Sequence, residues 1–203
     1  NEDLKNFVSY ELSSAVDDSK IQAAGYGLLN LSDGTTVVKN RADIPLPIAS
    51  LTKLMTAWVT IKHGSLEDLY VIQNADLEST SPSLNLKVGD EVKVRDLLNA
   101  MLIGSNNDTA KALAGYISQK TNTKFVDLMN ESANSLSMSS SRYNNPIGFD
   151  SNTNYSSVED MAILVQALLP SNVFDQTSKK SSYSFESKDG KPFTTSATNK
   201  LID

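Results

Sequence analysis

Two β-rich runs, one near each end of the chain, bracket a long middle with helical periodicity, and that order limits the folds open to it. Ala23 to Leu31 and Thr35 to Val38 flank Ser32-Asp33-Gly34. Strand-forming runs around an Asp-Gly read as a hairpin. Ser182-Tyr183-Ser184-Phe185-Glu186 and Lys191-Pro192-Phe193-Thr194-Thr195 flank Lys188-Asp189-Gly190 in the same way. Pro45 and Pro47 keep the chain extended ahead of the middle stretch. A helix is then predicted from near Ile48 to about Lys62, with Leu51, Leu54, Met55, Trp58 and Val59 on its apolar face and Gly64 as its stop. Val94 to Ala114 predicts two helices broken at Gly104-Ser105-Asn106-Asn107. Phe125 to Leu136 and Val158 to Leu169 predict two more, the last ended by Pro170. Leu4, Phe7, Val8, Leu12 and Val16 predict a further helix before the first hairpin, and the Ser- and Asn-rich stretch from Thr121 to Asn154 supplies loops between short helices. Strands, helices, then strands again is the order of a mixed α/β fold. The expected architecture is an antiparallel sheet flanked by helices, with an all-helical lobe of about residues 65–170 inserted in it. No repeat or linker divides the chain, so residues 1–203 are expected to form a single domain.

Composition narrows the function. With 203 residues, 39% of them hydrophobic and 21% charged, the chain can bury one sizeable core. A net charge of −6 lacks the basic footprint of a nucleic-acid binder, and no polybasic cluster would hold the chain on an anionic membrane. There is no cysteine, which removes disulfides, thiolate-ligated zinc and a thiol nucleophile, and suits work outside the cytoplasm. The one histidine, His63, is too few for most transition-metal sites, so neither a metal nor another cofactor is expected. No run of about eighteen apolar residues is present to span a bilayer. Asn1-Glu2-Asp3-Leu4 is not a signal peptide, so any leader is expected to have been removed.

Chemistry concentrates at two places. In Ser50-Leu51-Thr52-Lys53 the serine and lysine are three apart, which puts them on one strip of a helix. A serine hydroxyl needs a base to become a nucleophile. A lysine whose pKa burial has lowered can be that base, and Ser-Lys pairs are a known variant of the serine triad. The first turn of a helix also offers unpaired N–H groups, so the Ser50 N–H is a candidate oxyanion donor. Against this stands the commoner use of such residues, a capping serine and a solvated lysine. Ser105-Asn106-Asn107 precedes another apolar helix, where a Ser/Asn cluster is ordinarily an N-cap. The Ser-x-Asn spacing recurs at Ser83/Asn85 and Ser132/Asn134, and spacing alone does not choose among the three. His63 lies at a helix end before Gly64 and reads as a plain C-terminal residue rather than a triad base. Glu67/Asp68 and Glu159/Asp160 read as solvated helix starts.

Ser-x-x-Lys together with Ser-x-Asn belongs to penicillin-binding proteins and class A β-lactamases, and here the likeness extends beyond the two motifs. Pro47-Ile48-Ala49-Ser50-Leu51-Thr52-Lys53-Leu54-Met55-Thr56-Ala57 resembles the nucleophile segment of the D-alanyl-D-alanine carboxypeptidases. Gly89 to Leu98 resembles the approach to their second motif, which Ser105 to Ala110 matches, and Phe125 to Asn130, Asn145 to Asp150 and Thr198 to Leu201 continue the match. Ser137 stands where that family often has Gly, and Phe149 where it often has Leu. The resemblance implies that Ser50 attacks the carbonyl between two D-alanines, that Lys53 takes its proton, and that Ser105 relays a proton to the leaving amine. It implies that Asn107 binds Lys53 or the substrate amide. The implied partners are peptidoglycan stem peptides ending in D-Ala-D-Ala and β-lactam antibiotics, and no metal is called for. The implied location is extracytoplasmic, with membrane attachment only through an anchor outside this chain.

The third family motif, Lys-Thr-Gly or a variant, does not occur; the nearest string, Lys188-Asp189-Gly190, reads as a hairpin turn. The motif is expected after the Asn199-Lys200-Leu201 region, and the sequence is therefore expected to be part of a longer protein. Two other readings remain open at this point. A class A β-lactamase needs a glutamate for deacylation, and no segment resembles its loop. A non-catalytic wall-binding module that keeps the fold would have no need of Ser50, Lys53, Ser105 and Asn107 together.

Overall fold

The computed structural model describes residues 20–30, 35–80, 82–149 and 152–200. The helix expected over Leu4 to Val16, the turn Ser32-Asp33-Gly34 and Leu201 lie outside them. In chain order the elements are β1 (Tyr26–Leu29), β2 (Thr36–Asn40), β3 (Leu46–Pro47), a 3-10 turn (Ala49–Leu51), α1 (Thr52–His63), β4 (Leu69–Val71) and β5 (Glu91–Lys93). Then follow α2 (Val94–Gly104), α3 (Asn107–Thr121), α4 (Phe125–Ser135), β6 (Tyr155–Ser156), α5 (Val158–Leu168), α6 (Asn172–Ser178), β7 (Ser182–Glu186) and β8 (Pro192–Ser196). The helices expected in the middle of the chain are present, and the second of the pair runs on to Thr121. Helix α6 carries too few apolar positions for a period to show in the sequence.

The mixed α/β class is as expected, and every strand pair is antiparallel: β1 with β2, β3 with β6, β4 with β5, and β7 with β8. Among the described residues these are four separate two-stranded ladders rather than one sheet. The two hairpins lean on different helices, β1 on α5 and the β7–β8 pair on α2. At Gly27 a Cβ would stand 3.0 Å from the Val158 side chain, so the missing side chain eases the close approach of the first hairpin to α5. The second hairpin turns at Gly190, whose φ of +84° is open to glycine.

The core lies among α1 to α5. Met55, Leu97, Leu98, Met101, Leu113, Ile117, Met129 and Leu164 are all buried at 1% exposure or less. Each such side chain contributes about 1.5–3 kcal/mol on burial. Trimming one to alanine, as in Leu113→Ala, is expected to cost roughly 2–5 kcal/mol.

One local expectation is corrected. Leu51, assigned to the apolar face, is 54% exposed; it closes a 3-10 turn, whose tighter winding takes it off the stripe that begins with α1. Gly64 ends α1 as expected, in an extended conformation with φ −94° and ψ 174°. Its glycine is required by proximity: a Cβ would lie 2.7 Å from the Thr60 carbonyl oxygen and 3.1 Å from the Tyr116 ring. Ser137 stands at φ +62°, a region where glycine carries no steric cost.

Candidate active site

The 3-10 turn puts Ser50 at the mouth of a cleft and the first turn of α1 puts Lys53 at its floor. Ser50 is exposed, whereas Lys53 is only 3% exposed. The cleft is lined by Ile48, Leu51, Leu54, Met101, Leu102, Ser105 and Thr198. Ala49, next to Ser50, is held at φ +43°, and Ser105 itself at φ +55°. Left-handed backbone at a non-glycine residue costs of order 1 kcal/mol and gathers at functional sites.

Among the described residues Lys53 Nζ meets three oxygens and no carboxylate. It donates to Asn107 Oδ1 at 2.8 Å and to the Ile147 carbonyl at 2.8 Å, and lies 3.1 Å from Ser50 Oγ. Burial among neutral groups disfavours the ammonium and draws its pKa from 10.5 down to about 8. Its amine form is thus within reach of neutral pH.

Each partner is fixed from a different part of the chain. Asn107 opens α3, its N–H donating to the Pro82 carbonyl at 2.8 Å and its amide group to Thr80. The neighbouring Asp108 is 1% exposed and ties down the loop before β5, accepting from the Ser83 hydroxyl and from the N–H groups of Leu84 and Leu86. The Ile147 carbonyl is aimed by a tight loop. Asn145 Oδ1 accepts from the N–H groups of Ile147, Gly148 and Phe149, and Thr56 Oγ1 donates to the Pro146 carbonyl at 2.7 Å. Gly148, at φ +90°, lets this loop lie directly on the peptide that presents Ser50: a Cβ there would be 2.0 Å from the Ala49 carbonyl oxygen.

The sequence-derived candidates therefore divide. Ser50, Lys53 and Asn107 are joined by hydrogen bonds. Ser105 lines the same cleft but makes no hydrogen bond to Lys53. The other Ser-x-Asn pairs lie elsewhere, Ser83 bonded to Asp108 and Ser132 buried within α4. His63 ends α1, one helix away from Ser50, roughly 18 Å at 1.5 Å per residue. Among the described residues no group of three His, Cys, Asp or Glu gathers as a metal site. The acidic pairs differ from expectation. Glu67 and Asp68 precede a strand, not a helix; Glu67 pairs with Arg95 and Asp68 with Lys120. Glu159 is solvated and pairs with Lys39, but Asp160 is 5% exposed and accepts from Ser140 N–H and the Ser141 hydroxyl. Lys188-Asp189-Gly190 is the turn between β7 and β8, as expected. Sequence reasoning missed the Ile147 carbonyl, Thr80 and Asn145. The only available signal for the loop was the Asn145-Pro146-Ile147-Gly148 string.

The profile of the D-alanyl-D-alanine carboxypeptidase family matches residues 12–203. The chain is 29% identical over 172 residues to the D-alanyl-D-alanine carboxypeptidase DacC of Escherichia coli strain K12, covering 79% of this chain and 43% of the relative. It is 32% identical over 161 residues to DacA of the same organism, covering 74% and 40%. The chain thus spans less than half the length of these relatives. Among solved structures, a mutant of the Streptomyces K15 DD-transpeptidase superposes with a TM-score of 0.82 at 27% identity, covering 91% of this chain and 77% of that one. A penicillin-binding protein homologue from Mycobacterium tuberculosis superposes with a TM-score of 0.81 at 25% identity, covering 89% and 68%.

Proposed function

The chain belongs to the D-alanyl-D-alanine carboxypeptidase family, and on that premise we propose that it is a serine-type carboxypeptidase that removes the terminal D-alanine from peptidoglycan stem peptides. The observation that carries the reading is the set of neighbours around Lys53. A neutral amine has two N–H bonds and one lone pair. The Ile147 carbonyl can only accept, and Asn107 presents its amide oxygen, so the two N–H bonds go to these. The lone pair is left for the third neighbour, Ser50 Oγ. That is the orientation a general base needs, with a pKa near the working pH.

In the proposed reaction Ser50 Oγ attacks the carbonyl carbon between the two D-alanines while Lys53 takes the hydroxyl proton. The Ser50 N–H, at the entry to α1, donates to the oxyanion. The C–N bond then breaks, its electron pair leaves on nitrogen, and Ser105 hands that nitrogen a proton replaced from Lys53. Asn107 keeps Lys53 in register or holds the substrate amide. Water resolves the acyl-enzyme. A β-lactam presents the same amide in a strained ring, so the same attack leaves a long-lived adduct on Ser50. Residues 1–203 are read as one catalytic domain, with about 65–170 as its helical lobe. The place of work is extracytoplasmic, where the wall peptide lies; among the described residues no helix is long and apolar enough to cross a membrane. No feature of the site favours the β-lactamase or the non-catalytic reading.

Intact-mass spectrometry before and after incubation with a penicillin tests this. The expected outcome is a stable gain of one penicillin mass that Ser50→Ala abolishes. Rapid turnover without an adduct would favour the lactamase, and an adduct retained in Ser50→Ala would falsify the nucleophile assignment.

A further inference from the structure

Ser105 is the one member of the proposed machinery whose side chain is held by nothing: among the described residues it makes no side-chain hydrogen bond, and it sits in left-handed backbone between two helices. Both of its neighbours, however, are gripped by one residue of the distant β7–β8 hairpin. Thr195 Oγ1 accepts from the Asn106 amide at 3.0 Å. The same hydroxyl fills the space over Gly104, where a Cβ would lie only 1.9 Å from it. Asn106 is 3% exposed, and its second donor hydrogen goes to the Ala100 carbonyl in the last turn of α2 at 3.0 Å. Just beyond β8, the Thr198 N–H donates to the Ile103 carbonyl. The turn that carries Ser105 is thus pinned on both sides by a strand about ninety residues further along the chain.

We propose that Thr195 and Asn106 are positioning residues that aim Ser105 for protonation of the leaving nitrogen. The inference rests on the function proposed above. In the step concerned the acyl C–N bond breaks, nitrogen keeps the electron pair and takes the Ser105 hydroxyl proton, and Lys53 returns its proton to Ser105. A thiolate needs no such proton, so a thiolester of the same acyl group should bypass the step.

The test compares turnover of a D-Ala-D-Ala peptide with that of the matching acyl-D-alanyl thiolester. The wild-type protein, Thr195→Val and Thr195→Ser are measured on both. Valine keeps the shape and removes the acceptor; serine keeps the hydroxyl. We expect Thr195→Val to lose about 10-fold in kcat/KM on the peptide, a fraction of the 100-fold or more that acid–base groups supply. The loss on the thiolester should be no more than about 2-fold, and Thr195→Ser should recover the peptide rate. Because both substrates meet the same preparation, a merely structural loss of folded protein lowers both rates equally and leaves the ratio unchanged. An unchanged ratio in an active series overturns the positioning role alone. A wild-type protein that consumes neither substrate and takes up no penicillin overturns the proposed function, and this inference with it.

Discussion

Two lysines in this molecule are buried or exposed in ways that make opposite chemistry. Lys53 sits under the cleft with only neutral oxygens in reach among the described residues, and burial lowers its pKa to about 8. Lys120, on the far end of α3, donates to Asp68 at 2.7 Å and to the Tyr116 hydroxyl at 3.1 Å, and the carboxylate raises its pKa. The same side chain has its ammonium disfavoured in one place and held in an ion pair in the other. The difference is set first by burial, which desolvates Lys53, and by the Asp68 carboxylate, which holds the proton on the exposed Lys120, not by how many hydrogen bonds are made. An ammonium taken out of water without a counter-charge is costly, and losing its proton is the easiest relief.

The contrast can be broken most severely at Lys53. Lys53→Met should lower the rate of penicillin acylation by about 100- to 10,000-fold, the range spanned by general bases, read by mass spectrometry under single-turnover conditions; a loss of less than threefold would remove Lys53 from the mechanism. Giving Lys53 the kind of partner Lys120 has is the next largest change. Asn107→Asp places a carboxylate at the amide position 2.8 Å from Nζ. It should raise the lysine pKa and slow acylation at pH 7 by about 10- to 100-fold, with partial recovery toward pH 10. A flat pH profile would show that the pKa of this group does not limit the reaction.

The pH dependence of the unaltered protein sharpens the same point. Acylation should climb about tenfold per unit below pH 8 and level off above it, since only the neutral amine accepts the Ser50 proton. The stability effect has a definite sign. The folded pKa lies below the ordinary 10.5, so between about 8 and 10.5 the unfolded chain binds more protons and this group makes stability rise with pH. Comparing thermal melts of the protein and Lys53→Met across that window should show the rise vanish in the variant. The smallest effect is expected at the other lysine: Lys120→Met removes an exposed pair and should leave the acylation rate within about twofold, as surface ion pairs do little. A large loss there would mean that the two regions are coupled.

Much of the scaffold was legible in advance because its signals are local. The helices α1 to α5 announce themselves by apolar spacing, and the β7–β8 turn by Lys188-Asp189-Gly190. Ser50 and Lys53 meet because a helical turn brings residues three apart together, wherever the helix sits. Asp160 was misjudged because its neighbours in sequence suggest a solvated helix start, whereas Ser140 and Ser141 arrive from another loop to bury it. Gly64 was legible as the helix stop, but the side chains that crowd it belong to α3 and could not be read from its neighbours in sequence.

By itself the sequence determined which residues could do chemistry and on which helices they ride: a serine and a lysine one turn apart, and an Asn at the head of a later helix. Only the tertiary structure decided that Lys53 is buried, that Asn107 rather than Asn85 or Asn134 reaches it, and that the Ile147 carbonyl accepts another of its N–H bonds. Those contacts join residues 54 and 94 positions apart. Hydrogen-bond geometry within one turn follows from local backbone dihedrals, but the dielectric around a charge is a property of everything packed against it.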